Sequence, residues 1–372
     1  MRILFTGGGT GGHIFPIIAV ARQLKKLARE REMDLELFYL GPADFDLQPL
    51  KAEEIKIKAI LAGKLRRYFS GWTILDIFKI PIGLFQVLIY LYTWMPRVIF
   101  SKGGYGSVPI VLVGWLFRIP ILVHESDTIP GLANRLAGKL ASRVAVSFEA
   151  AKKYFPAKKT ALIGNPVRQE ILQADREEAK KIFKLVSDQP VILIFGGSQG
   201  AQAINQIILD VLPSLLEKAE IIHICGPKNY SQISSQTSSI VQTKELLEQY
   251  HLYPFLYENQ IKHAYAIADL VISRAGAGSI FEIAACGKPS ILIPLPSAAS
   301  NHQRENAFAY AKSGTTIVIE QANLTPHLFL ERIFNLLEHA ELRQKMSQCA
   351  LAFAKPEAGQ KIAEELVEMG SE

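Results

Sequence analysis

Apolar residues along this chain follow two rhythms that alternate from end to end. Short continuous apolar runs, the mark of buried strands, are followed by longer stretches with apolar positions spaced by threes and fours, the mark of amphipathic helices. Ile3-Leu4-Phe5 is the first run, and the stretch after it sets Ile14, Ile17, Ala21, Leu24 and Ala28 on one face. Pro16 is expected in the first turn of that helix, where proline is tolerated. Leu35–Leu40, Val98–Ser101, Ile121–Val123, Val144–Ser147 and Ala161–Ile163 predict further strands. Gly164-Asn165-Pro166-Val167-Arg168 reads as a hinge, and a helix over Arg176–Phe183 leads into a second series. Its strands are expected at Val191–Phe195, Ile221–Cys225, Leu270–Ser273, Ser290–Pro294 and Thr316–Ile319. A last amphipathic helix places Ile362, Leu366 and Met369 on one face. Such alternation predicts an α/β protein with parallel sheets covered by helices on both sides.

Two of the strand runs break into glycine-rich turns that a helix follows. The first is Gly7-Gly8-Gly9-Thr10-Gly11-Gly12-His13, and the second is Gly196-Gly197-Ser198-Gln199-Gly200-Ala201. A strand, a glycine turn and a helix N-terminus make an anion site, because bare backbone approaches the ligand closely and free N–H groups point at it. Two such units predict two nucleotide-binding-type domains facing a cleft.

The totals narrow the class. The chain has 372 residues, enough for two or three domains, and 49% hydrophobic against 20% charged residues marks it as globular. Its net charge of +6 suits a phosphate-bearing partner or an anionic membrane surface, and equally plain solubility. Cys225, Cys286 and Cys349 are scattered, which points to reduced thiols and away from a disulfide frame or zinc site. No signal peptide is read at the start. Ile80–Pro96 carries no charge over 17 positions, the lower edge of a membrane span. Pro81, Gly83 and Gln86 within it favour a buried helix or an interfacial docking helix. Lys64, Arg66, Arg67, Tyr68, Phe69 and Trp72 just upstream suit a lipid headgroup surface, or a solvated loop.

The candidate chemistry sits at predicted strand ends. Gly7, Gly9 and Gly12 match a dinucleotide fingerprint, but the second strand ends in Leu40-Gly41-Pro42 with no acid for a ribose. No Lys-Ser or Lys-Thr follows the glycines, so the turn is not a P-loop. His13 falls at the mouth of the first helix, where the dipole favours neutral imidazole that can accept a proton; simple capping is the alternative. A third glycine-rich segment runs from Arg274 to Glu282. Ser279 and Glu282 have capping-box spacing, while Glu282 could also accept both hydroxyls of a ribose. Asn301-His302-Gln303 offers amides suited to sugar hydroxyls, or an ordinary surface loop. His124-Glu125 also ends a strand, without the second histidine of a zinc helix.

With these motifs in order, the chain resembles the MurG family of family 28 glycosyltransferases, over nearly its whole length. The resemblance rests on Gly8–His13, Gly103-Gly104-Tyr105-Gly106-Ser107, His124-Glu125 with Pro130-Gly131-Leu132-Ala133-Asn134, Gly164–Arg168, Gly196–Ala201, Arg274–Glu282 and Gln303. It implies a GT-B fold of two Rossmann-like doubly wound domains. The first, at 1–163, would hold the acceptor and dock on the membrane, with the C-terminal helix 353–372 packing back on it; the second, at 164–352, would bind UDP-GlcNAc. It implies inverting transfer of GlcNAc to the C4 hydroxyl of MurNAc in lipid I, giving lipid II for peptidoglycan. Donor contacts would come from Thr10, Gly11, Gly12, Arg168, Ser198, Ala277, Gly278, Ser279, Ile280, Phe281, Glu282 and Gln303. Acceptor contacts would come from Gly103, Gly104, Tyr105 and Asn134. His13 is the implied base, with His124 or Glu125 in reserve; no metal and no cofactor are implied. Implied partners are the cytoplasmic face of the bacterial membrane and the cell-wall synthesis machinery, with no nucleic acid. Where some members carry a His-Glu-Gln-Asn run, this chain has Ser126-Asp127, so Asp127 is not assigned to the donor. A diacylglycerol glycosyltransferase, a UDP-GlcNAc 2-epimerase and a non-catalytic nucleotide-sugar-binding protein are the competing readings.

Overall fold

The computed structural model describes residues 1–8, 11–43, 47–63, 71–197, 200–298 and 301–371, with backbone alone at 11 and 71–78. Among them the apolar runs become strands because residues buried on both faces need no alternation. In chain order the strands are β1 (Arg2–Thr6), β2 (Glu36–Gly41), β3 (Lys56–Ala59), β4 (Val98–Ser101), β5 (Ile121–Glu125), β6 (Arg143–Val146) and β7 (Thr160–Leu162). They form one parallel sheet in the order β3-β2-β1-β4-β5-β6-β7. A second parallel sheet holds β8 (Val191–Phe195), β9 (Glu220–Ile224), β10 (Tyr250–Tyr253), β11 (Leu270–Ser273), β12 (Ser290–Leu292) and β13 (Thr316–Val318). Its order is β10-β9-β8-β11-β12-β13. Both sheets reverse direction of growth once, between β1 and β4 and between β8 and β11. In open α/β sheets the crevice at that reversal, outside the carboxyl ends of the strands, is where ligands bind.

Two compact units result, Met1–Arg168 with Lys355–Glu372, and Gln169–Ala354. The final helix, Ala358–Ser371, belongs to the first, where Ile362, Ala363, Leu366 and Met369 share a core with Ile14, Ile17 and Leu24 of the helix Gly11–Glu30. Gly164–Arg168, expected as a hinge opening the second domain at 164, instead packs into the first unit. Gly164 N donates to Val146 O at 3.2 Å, and Val167 and Arg168 are buried.

Three other expectations change. Pro16 is the sixth residue of its helix, beyond the first turn. It removes one N–H that would have bonded the Gly12 carbonyl, near a helix mouth where Gly12 is exposed and solvent can substitute. β3 and β10 were not anticipated, because both are short edge strands in which every residue but Tyr250 is exposed or only partly covered. All but the last two residues of the charge-free stretch lie in a helix over Gly71–Trp94 that contains Pro81. Val87 and Leu91 enter the core, yet Ile82, Phe85, Ile89 and Tyr92 stand exposed, so the helix is apolar on both sides. No helix among the described residues is long and apolar enough to cross a membrane.

Candidate active site

In the first unit, the turns that follow β1 and β4 lie side by side at the reversal point. Gly104 has φ 84° and ψ 162°, a region open in practice only to glycine. A Cβ there would stand 2.7 Å from Gly8 O, so the β4 turn and the β1 turn interlock backbone against backbone. Gly103 is pressed as closely on Asn134, whose Oδ1 would lie 2.3 Å from an added Cβ. Tyr105, half-buried, opens a 3-10 turn over Tyr105–Ser107. Gly11 and Gly12 are the first two residues of the Gly11–Glu30 helix, and His13 is the third and partly buried. Thr10 lies outside the described residues.

Beneath this surface is a buried polar network. Asn134 Nδ2 donates to Glu125 Oε2 at 2.9 Å and to His124 O at 3.3 Å, and Asp127 N donates to Glu125 Oε1 at 2.9 Å. Burial pushes the Glu125 carboxyl up to about 7, with the nearby Asp127 charge adding to the rise. His124 is 0% exposed. Its Nε2 lies 2.9 Å from Gly164 O and its Nδ1 lies 2.6 Å from Lys102 Nζ. These partners assign the tautomer, Nε2–H donating to the carbonyl and Nδ1 accepting from the ammonium. Burial, and then the Lys102 charge, hold the imidazole well below its usual range. The reserve assignment of His124 as the base is therefore corrected. Both ring nitrogens of His124 are bound inside the unit, so it has no site left to take a proton from a ligand hydroxyl, while Glu125 is buried and accepts one bond at each oxygen. Asn134, expected as an acceptor contact, spends its amide N–H groups on the same network.

Arg168, expected as a donor contact, sits with its guanidinium 4.6 Å from the centre of the Phe15 ring and is only 8% exposed.

The second unit builds its own site at the ends of β8 and β11. The helix Gln202–Leu216 follows the β8 turn, with no side-chain cap at its start. Ser198 lies outside the described residues. After β11, Arg274 donates to Ile293 O at 3.1 Å, Pro294 O at 3.3 Å and Gln321 Oε1 at 2.8 Å, fixing the exit of β12. The helix Ala277–Ala285 then begins, its cap being Gly276 with no side-chain hydrogen bond. The expected Ser279–Glu282 capping box does not form, because the helix starts two residues before Ser279. Ala277, Gly278 and Ser279 thus supply the uncapped first-turn N–H groups, with the Ile280 and Phe281 side chains buried behind them. Glu282 lies one and a half turns in and half-buried, its Oε2 accepting from Tyr265 OH at 3.2 Å. Gln303 is the second residue of the helix His302–Ala311, and its Oε1 accepts from Leu295 N at 3.0 Å.

Lys102, Tyr265 and Arg274 carry this architecture and were not among the expected site residues. A lysine ending an apolar strand just before two glycines was a signal for the first, and an arginine heading the third glycine segment for the last. Tyr265 gave none.

The family model of the glycosyltransferase family 28 N-terminal domain matches residues 3–146, and that of the C-terminal domain matches residues 191–365. A Bacillus anthracis protein named as a UDP-N-acetylglucosamine–N-acetylmuramyl-(pentapeptide) pyrophosphoryl-undecaprenol N-acetylglucosamine transferase is 38% identical over 91% of this chain and 92% of its own. The crystal structure of Acinetobacter baumannii MurG is similar at a TM-score of 0.75 and 27% identity, covering 99% of both chains. UDP-GlcNAc 2-epimerase from Neisseria meningitidis shares the fold alone, at 18% identity and a TM-score of 0.69, over 99% of this chain and 100% of its own. With both halves matched and the relatives aligned nearly end to end, the chain belongs to glycosyltransferase family 28, in its MurG branch.

Proposed function

We propose that this enzyme transfers GlcNAc from UDP-GlcNAc to the C4 hydroxyl of the MurNAc in lipid I, giving lipid II and UDP with inversion at the anomeric carbon. The observation that carries the reading is the full-length kinship with relatives named for this transfer. The two helix starts at the reversal point of the second sheet, which carry no side-chain cap, suit a diphosphate-bearing donor.

The acceptor oxygen attacks the anomeric carbon, the bond from that carbon to the UDP oxygen breaks, and the hydroxyl proton passes to a base. His13 takes that role, since a helix N-terminus favours neutral imidazole. The β8 turn with Ser198, the Ala277–Ser279 N–H groups and Arg168 stabilise the leaving diphosphate. Glu282, oriented by Tyr265, receives the ribose hydroxyls, and Gln303 a sugar hydroxyl. Gly103, Gly104 and Tyr105 receive the acceptor, and Thr10, Gly11 and Gly12 reach the donor.

The acceptor's lipid tail requires a membrane surface. Phe85, Ile89, Tyr92, Trp115, Leu116 and Leu132 are exposed on three helices of the first unit, Gly71–Trp94, Val108–Leu116 and Leu132–Leu140, each packed on the next. Large exposed apolar area of this kind marks an interaction site. We assign it to the cytoplasmic face of the membrane. The basic residues Lys64, Arg66 and Arg67, which precede it in sequence, lie outside the described residues.

The test is label transfer from UDP-GlcNAc to a short-chain lipid I analogue, with diacylglycerol as a parallel acceptor. Label on the analogue alone, with UDP released, supports the reading; label on diacylglycerol, or on neither despite saturable donor binding, overturns it. His13→Ala should lower kcat by about a hundredfold or more with donor binding retained, and an intact kcat would remove His13 from the role.

A further inference from the structure

Lys102 takes no part in the steps above, yet it is 1% exposed, a position lysine almost never occupies without partners. It directly follows β4, immediately before the Gly103–Gly104 turn. Its Nζ donates to His124 Nδ1 at 2.6 Å and to Ser126 Oγ at 2.5 Å. Those two pass the constraint on, His124 Nε2–H to Gly164 O and Ser126 Oγ to Asn165 Oδ1 at 3.1 Å. One ammonium thus ties the end of β4 to the end of β5 and to the Gly164–Asn165 segment. The glycine turns lie against the same residue. A Cβ on Gly7 would stand 3.0 Å from Lys102 Cβ and 3.6 Å from His13 Cβ, and Lys102 N donates to Thr6 O at 2.8 Å. Ser126 and Asp127 are also the two positions at which this chain departs from the His-Glu-Gln-Asn run. Ser126 bonds the ammonium, and the charges of Glu125 and Asp127 oppose the loss of its proton that burial favours.

We propose that Lys102 is a positioning residue for the acceptor. It holds the β4 and β5 ends in place under the two glycine turns and sets one buried positive charge beneath the backbone N–H groups that receive a diphosphate. Burial brings the ammonium down to about 7, and an anion arriving above it favours the protonated form; backbone dipoles alone offer partial charges, whereas a charge shielded from water acts on that anion across several ångströms. The inference rests on the transferase reading and on the acceptor's place at these turns.

Steady-state kinetics of the full chain with UDP-GlcNAc test it, using a short-chain lipid I analogue and the same acceptor with an uncharged linker in place of the diphosphate. Lys102→Met removes charge and hydrogen bonds; Lys102→Gln removes the charge but keeps an amide donor, and it decides the question should the Met variant fail to fold. Both should raise the KM for the diphosphate acceptor about tenfold, leave the KM for UDP-GlcNAc within about twofold, and narrow the preference over the uncharged acceptor by the same factor. An unchanged acceptor KM in a folded variant overturns the proposal. So does a parallel rise of both KM values with a lowered Tm, which marks a purely structural lysine. Wild-type enzyme that ignores the diphosphate acceptor overturns the transferase reading, and the Lys102 role with it.

Discussion

Gly104→Ala is the sharpest perturbation of the first unit's site. At φ 84° and ψ 162° an alanine pays the cost of a conformation essentially reserved for glycine, about 1–3 kcal/mol. Its Cβ would also meet Gly8 O at 2.7 Å, a backbone atom that cannot rotate away, and overpacking of this kind costs about 1–3 kcal/mol. The sum, about 2–6 kcal/mol, is a large share of a typical domain's stability without exceeding it. The unit should therefore fold with its β1 and β4 turns forced apart. Calorimetry should show the transition of that unit lowered by roughly 4–24 °C, at about 2–4 °C per kcal/mol for a unit of this size. Acceptor turnover should fall further than the stability loss alone explains. Gly131→Ala is the control, because nothing lies within 4 Å of its Cβ and its φ of −65° suits any residue; a helix cap changed to alanine costs about 1 kcal/mol at most. A Gly104→Ala protein within about 2 °C of the control would refute the interlocked turns.

Other outcomes follow from named contacts. Tyr265→Phe deletes the hydroxyl 3.2 Å from Glu282 Oε2 and should raise the donor KM about threefold to tenfold with kcat held, a net hydrogen bond being about 0.5–1.5 kcal/mol; an unmoved KM would mean that Tyr265 does not orient the carboxylate. Burial lowers His223 from 6.5 to about 3, while its ring bonds Asn205 Oδ1 and Tyr250 OH. The unfolded chain then takes up that proton first, so this residue's stability is complete above about pH 6.5 and drains away as pH falls toward about 3. His223→Gln should flatten the fall of Tm between pH 7 and 4, and an unaltered slope would place the acid sensitivity elsewhere. Phe85→Glu with Trp115→Glu should abolish sedimentation with anionic vesicles while UDP-GlcNAc binding persists. Retained sedimentation would move the membrane contact off this face.

Much of the architecture was legible in the pattern of apolar residues. Strands buried on both faces must be continuous apolar runs, so β1, β4, β5, β8 and β11 stood out, and the glycine turns after β1, β4, β8 and β11 marked the ligand ends of both sheets. Edge strands such as Lys56–Ala59 bury too little to leave that imprint. Ser279 shows the local limit, since a capping spacing is only an offer and the strand exit at Gly276 started the helix first. The glycines of the turns could be named because their backbone need is local. Their supports could not.

What the sequence alone determined was therefore the alternation of the central elements and the class of fold, through periodicity and turn chemistry that act over a few residues. Only the tertiary structure decided that Gly164–Arg168 belongs to the first unit, that His124 and Glu125 are bound internally, and that Lys102 lies beneath the turns. Those outcomes depend on which strand ends become neighbours, and β4, β5 and the segment after β7 meet only because a parallel sheet brings their carboxyl ends to one edge. Burial then fixes the chemistry, since a lysine and a histidine far apart in sequence take their charge states from each other only once water is gone.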